Sequence, residues 1–137
     1  MPTTFDRKPS GSLSILIAED DESNLFYLAT ILKKANLNII TAYNGKQAVD
    51  YCHLHSEIGL VLMDIRMPVM DGIEATREIK SFRKELPIIA VTAFAMTGDE
   101  KKAREAGCDD YLTKPLNKRL LFEKISHYTG YTPNSTK

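Results

Sequence analysis

The sequence predicts an α/β protein, a doubly wound parallel sheet of five strands flanked by five helices. Three observations carry this. Short apolar runs rich in Ile, Val and Leu recur along the chain, without the polar alternation of a strand that has one wet face. Segments of helical period separate them. The connections are a few residues long, and right-handed crossovers then restrict such a chain to helices on both faces of one sheet.

Residues 1–12 hold Pro2, Arg7, Lys8, Pro9, Ser10 and Gly11 with Phe5 as the one sizeable apolar anchor, and read as a tail or linker. Leu13 to Ala18 is the first buried strand, ending at Glu19, Asp20, Asp21 and Glu22. Leu25, Leu28, Ala29 and Leu32 have helical spacing, and that helix stops near Ala35-Asn36. Ile39 to Tyr43 is β-branched and aromatic, hence a strand. Asn44-Gly45 breaks it, and a helix from Lys46 to His55 turns Ala48, Val49 and Cys52 inward. Leu60 to Met63 is the central strand and stops at Asp64. Met67-Pro68 turns the chain, and Asp71-Gly72 offers a turn and a helix N-cap. The third helix runs from Ile73 to Phe82 with Ile73, Thr76 and Ile79, and Pro87 opens the strand Ile88 to Thr92. Gly98 to Ala106 is a weakly amphipathic helix stopped by Gly107. Tyr111 to Thr113 is a short fifth strand ending at Lys114-Pro115, and Lys118 to Tyr128 is a helix burying Leu121, Ile125 and Tyr128. The domain is thus residues 13–129, with 130–137 expected as a disordered polar tail.

The bulk numbers exclude several classes. At 137 residues the chain suits one domain. Its 18 basic and 18 acidic residues cancel, so nothing points to direct binding of nucleic acid or membrane. No apolar run is long enough for a span, and no apolar signal core opens the chain. Cys52 and Cys108, far apart, read as reduced thiols, which places the protein in the cytoplasm. Neither Gly-rich nucleotide-binding pattern occurs.

The chemistry collects at one edge. Parallel strands share their C-terminal ends, where open α/β sheets bind ligands. The first strand brings Glu19 and Asp20 there, the third Asp64, the fourth Thr92 and the fifth Lys114. Carboxylates held close raise one another's pKa, and a hard cation such as Mg²⁺ relieves that. A carboxylate is also a nucleophile able to form an aspartyl-phosphate, and phosphoryl transfer asks mainly for charge stabilisation and positioning. Asp21 and Glu22 are better read as acids favouring a helix N-terminus. His53 and His55, two apart on a helix, do not point together and are read as surface or half-buried, like His127.

Glu19-Asp20, Asp64-Ile-Arg-Met-Pro with Asp71-Gly72, Thr92-Ala93 and Lys114-Pro115 resemble the receiver domain of two-component signalling, the CheY-like response-regulator module. The resemblance runs from Leu13 to Tyr128 and implies a flavodoxin-like sheet of order 2-1-3-4-5. It makes Asp64 the phosphoacceptor of a phosphorelay switch. Asp20 would ligate Mg²⁺ directly and Glu19 through water, with Asp64 and the Arg66 backbone carbonyl completing the protein ligands. Thr92 and Lys114 would bind phosphoryl oxygens, Ala93 would leave room for them, and a cis bond before Pro115 would aim the lysine inward. Tyr111 takes the aromatic switch position. Arg66 and Phe94, two beyond the acceptor and two beyond the threonine, tune dephosphorylation, and Phe94 implies a long-lived phosphoryl group.

The resemblance implies a signalling domain that catalyses its own phosphotransfer and slow autodephosphorylation. Its donor would be a histidine kinase or histidine phosphotransfer domain docking at Asn24, Leu25 and Leu28. A downstream protein partner would read the face made by the fourth helix, fifth strand and fifth helix. The stretch Ala95 to Lys114 is most similar to receivers of hybrid histidine kinases, and the chain is either stand-alone or cut from a longer protein. Two other functions fit a strand-end aspartate: a phosphorylation-independent binding module, and a phosphatase of the haloacid-dehalogenase type. The latter needs an aspartate where Arg66 stands.

Overall fold

The apolar runs do form strands, and all of them are parallel. In the computed structural model, residues 13–93 and 98–132 are described. The order is β1 (Ser14–Ala18), α1 (Glu22–Lys34), β2 (Asn38–Ala42), α2 (Gly45–Leu54), β3 (Ile58–Asp64), α3 (Gly72–Phe82), β4 (Ile88–Thr92), α4 (Asp99–Ala106), β5 (Asp110–Thr113) and α5 (Lys118–Thr129). The sheet runs β2-β1-β3-β4-β5, with each neighbouring pair parallel. The expected tail at residues 1–12 lies outside the described residues.

Because strand side chains alternate, each central strand feeds two cores. Leu16, Val61, Met63, Ile88 and Ala90 pack with α2, α3 and α4 through Val49, Cys52, Ala75, Ile79 and Ala103. Ile15, Ile17, Leu60, Leu62, Ile89 and Val91 face α1 and α5 through Leu25, Leu28, Leu32, Leu121 and Ile125. All five residues of β1 and of β4 are buried, which explains their unbroken apolar character.

Helix starts follow the short polar residues. Asp21 accepts from the Asn24 amide, Asn44 from Gln47, Asp71 from Glu74 and Asn117 from Leu120, at 2.8–2.9 Å. Helix α4 begins at Gly98, in the left-handed region with φ 83°, and has no side-chain cap. Gly107, at φ 116°, ends it as expected.

Most boundaries shift by one residue, and three departures from the sequence reading have local reasons. Strand β2 stops at Ala42, because the Tyr43 amide donates to the Gln47 side chain at 2.7 Å. Strand β3 starts at Ile58, ahead of Leu60: Ser14 pairs with Ile58 and Ile15 with Leu60, so Gly59 is an extra residue that hides the strand's start. Tyr131, inside the stretch expected as a tail, donates its hydroxyl to the Ala35 carbonyl at 2.7 Å and packs on the α1/α5 core. Residues 133–137 lie outside the described residues.

Arg83, the C-cap of α3, ties α2 and β3 together. Its guanidinium donates to the Ile58 carbonyl at 2.8 Å and approaches those of Cys52, His55 and Ser56 at 3.4–3.5 Å. Arg83→Ala leaves these carbonyls short of a donor and is expected to lower stability by about 2 kcal/mol. Urea denaturation measures it, and an unchanged midpoint would show that water replaces the guanidinium.

Candidate functional site

The C-terminal edge of the sheet gathers the groups the sequence scatters. Asp64 is the last residue of β3 and is buried, as is Glu19 just beyond β1, while Asp20 is exposed. The three carboxylates offer oxygens that all lie within 4.8 Å of one another. Lys114 enters from the end of β5, its Nζ 2.8 Å from Glu19 Oε1 and 3.5 Å from Asp64 Oδ2. The Lys114–Pro115 bond is cis, and the Lys114 amide donates to the Thr92 carbonyl at 2.8 Å. One ammonium thus faces three carboxylates, an excess of negative charge that a hard divalent cation fits.

The backbone after Asp64 is held from two sides. Gly72 donates to the Ile65 carbonyl and Gly45 to the Met70 carbonyl, both at 2.8 Å. Between them the Met70 amide reaches back to the Pro68 carbonyl at 2.7 Å across Val69, whose φ is 70°. A β-branched residue at the centre of such a γ-turn is strained. The sequence reading passes over it, since Pro68-Val69 carries no left-handed signal.

Thr92 closes β4, fully buried, with Ala93 exposed next to it. The Thr92 hydroxyl donates to Asp99 Oδ2 at 3.3 Å. The Arg66 amide points at Asp64 Oδ1 over a long 3.4 Å, and its guanidinium spans both Asp99 oxygens at 3.1 Å. Tyr111, on β5, packs on the α4 side of the core, and its buried hydroxyl has no hydrogen-bond partner among the described residues. Phe94 lies outside the described residues. Nothing local in the sequence marks Asp99, because its partners lie 7 and 33 residues away.

Burial first, and then the Glu19 carboxylate, push the Asp64 pKa up to about 7, against the pull of Lys114. Burial works against the Lys114 ammonium too, but its bond to Glu19 and the charge of Asp64 outweigh that and raise its pKa. The sign for stability follows. Above its unfolded value near 4 and up to about 7, Asp64 keeps a proton when folded that the unfolded chain has lost, so its contribution is lost as pH rises through that window. In EDTA, raising the pH from about 5 to about 8 is therefore expected to destabilise the wild type more than Asp64→Asn. Melting curves of the two proteins check it, and parallel pH profiles would refute it.

Residues 15–126 match the family model described as the response regulator receiver domain. The chain belongs to that family. Among curated proteins the receiver is 43% identical over 120 residues to hybrid signal transduction histidine kinase I of Dictyostelium discoideum, a match covering 82% of the chain but spanning about 7% of that protein's length. Two solved structures at 34% identity share its fold. One is the receiver domain of sensor histidine kinase PA1611 of Pseudomonas aeruginosa, with magnesium in the active-site cleft (TM-score 0.81; 88% of this chain, 99% of that one). The other is the Saccharomyces cerevisiae receiver of Ssk1, co-crystallised with the histidine phosphotransfer protein Ypd1 (TM-score 0.79; 85% and 88%).

The expected docking residues need one correction. Leu25, 8% exposed, belongs to the core, because the inward stripe of α1 runs through it; Leu28, 3% exposed, packs in the same core and reaches the surface only at the cavity beside Lys114. The exposed apolar groups of α1 are Phe26 (74%) and Tyr27 (46%). Asn24, Tyr27 and Leu28 line a cavity of about 180 Å³ with Lys114, Pro115 and Leu116, beside the carboxylates. Cys52 and Cys108 are buried free thiols, and burial pushes Cys52 up to about 11. No described helix is long and apolar enough to cross a membrane.

Proposed function

We propose that this receiver is a phosphorelay switch in which Asp64 accepts the phosphoryl group. The observation that carries this is the position of Asp64 at the end of the central strand, with Glu19, Asp20 and Lys114 drawn around its carboxylate. A carboxylate oxygen of Asp64 attacks phosphorus as the P–N bond of a partner phosphohistidine breaks, the bonding pair leaving on the imidazole nitrogen. Glu19, Asp20 and Asp64, with the Arg66 backbone carbonyl, would hold Mg²⁺, which when bound neutralises charge on the transferring oxygens. Lys114 turns its ammonium from Glu19 to a phosphoryl oxygen, Thr92 gives its hydroxyl to another, and Ala93 leaves space. Tyr111 follows Thr92 inward, and the α4-β5-α5 face is reshaped for a downstream protein partner. Arg66 and Phe94 set how slowly the group is lost.

The donor is a histidine kinase or histidine phosphotransfer domain of the kind seen with the Ssk1 receiver. It would dock over Phe26, Tyr27 and the cavity beside Lys114, in the cytoplasm. The test is intact mass after Mg²⁺ and acetyl phosphate, with tryptic mapping and an EDTA control. One phosphoryl group on the Asp64 peptide, absent in EDTA, is the expected result, and its decay after desalting gives the lifetime. No phosphoryl group on wild type would replace the switch with a phosphorylation-independent binding role.

A further inference from the structure

We infer that Asp99 is a positioning residue that latches the resting state by holding the Thr92 hydroxyl and the Arg66 guanidinium away from the acceptor. This rests on Asp64 being the phosphoacceptor. Asp99 is the first residue of α4 and is 3% exposed. A carboxylate that deep needs donors. It has the Thr92 hydroxyl at 3.3 Å on one oxygen and Arg66 Nη2 at 3.1 Å from both. One buried acid therefore holds both the residue that binds phosphate and the residue two beyond the acceptor.

Competition follows from stoichiometry. A hydroxyl has one proton to donate, so Thr92 cannot serve Asp99 and a phosphoryl oxygen together. Phosphorylation must take that donor from Asp99, and the new anion also competes with Asp99 for the half-exposed Arg66 guanidinium. The end of α4 has no side-chain cap. Losing the Thr92 bond from its first residue loosens that end, which links the acceptor to the fourth helix. The latch lowers the fraction of protein ready to bind phosphate, and apparent affinity falls by that same fraction.

Beryllofluoride with Mg²⁺, a phosphoryl mimic, titrated into wild type, Asp99→Asn and Asp99→Ala and followed by NMR tests this. Asp99→Ala is expected to half-saturate at about one-tenth of the wild-type concentration, with Asp99→Asn between. The Thr92 methyl resonance of the ligand-free variants should move toward its position in the saturated wild type. Equal or weaker mimic binding by the variants, with Thr92 unmoved, would leave Asp99 a mere anchor of α4 and overturn the latch. If Asp99→Ala does not fold, Asp99→Asn decides by the same two readouts. Failure of wild type itself to bind the mimic would instead overturn the acceptor reading, and the latch with it.

Discussion

Asp64→Asn, given Mg²⁺ and acetyl phosphate, keeps its unmodified mass while the wild type gains one phosphoryl group. The amide has nearly the shape of the carboxylate, but its oxygen is a poor nucleophile and carries no charge to draw in a cation. The loss is expected to exceed about 10³-fold in rate, as when other covalent nucleophiles are removed. Folding cannot account for it. Lys114 keeps its 2.8 Å contact with Glu19, and an amide at position 64 escapes the burial cost and the Glu19 repulsion that lift Asp64 to about 7. Above that pH the metal-free variant should melt no lower than wild type. Phosphoryl uptake by the variant at the wild-type rate would mean that another group is the acceptor.

Gly72→Ala should damage both the fold and the site. A Cβ built on Gly72 would lie 2.1 Å from the Asp64 carbonyl oxygen and 2.8 Å from Met63 Cγ. The carbonyl is backbone at the end of the central strand, so no rotamer change relieves the clash. Either α3 backs away or Asp64 moves. Overpacking of this kind costs about 3 kcal/mol, and a shift of about 1 Å in a reacting group costs roughly 10²-fold in rate. Urea denaturation together with the rate of phosphorylation measures both. A variant as stable and as quickly phosphorylated as wild type would show that the Gly72 contact with β3 is adjustable. The same geometry explains why an Asp-Gly pair follows the acceptor: Asp71 caps α3, and the glycine lets that helix start against the strand that carries Asp64.

Much of this was legible because it depends on short-range rules. Apolar runs buried on both faces became β1, β3 and β4, and helical spacing picked out Leu25, Leu28 and Leu32. Asp21, Asn44 and Asp71 capped the helices they precede, and Gly107 ended α4. Parallel strands then forced Glu19, Asp64, Thr92 and Lys114 to one edge. The misses have different causes. Gly59 hid the start of β3, since an extra residue in a ladder is defined by its partner strand. Leu25 was assigned to a partner surface although its spacing already marked it as core.

By itself, then, the sequence determined the fold class, the strand ends and the chemistry delivered there, because periodicity and capping act within one or two turns of chain. Tertiary structure alone decided how these groups share their charges. Lys114 rests on Glu19 closer than on Asp64, Gly45 and Gly72 clamp the loop after the acceptor, and Asp99 holds Thr92 and Arg66 across 7 and 33 residues of sequence. Electrostatic and hydrogen-bond partners are chosen by distance in space, over a few ångströms, and no local pattern encodes them.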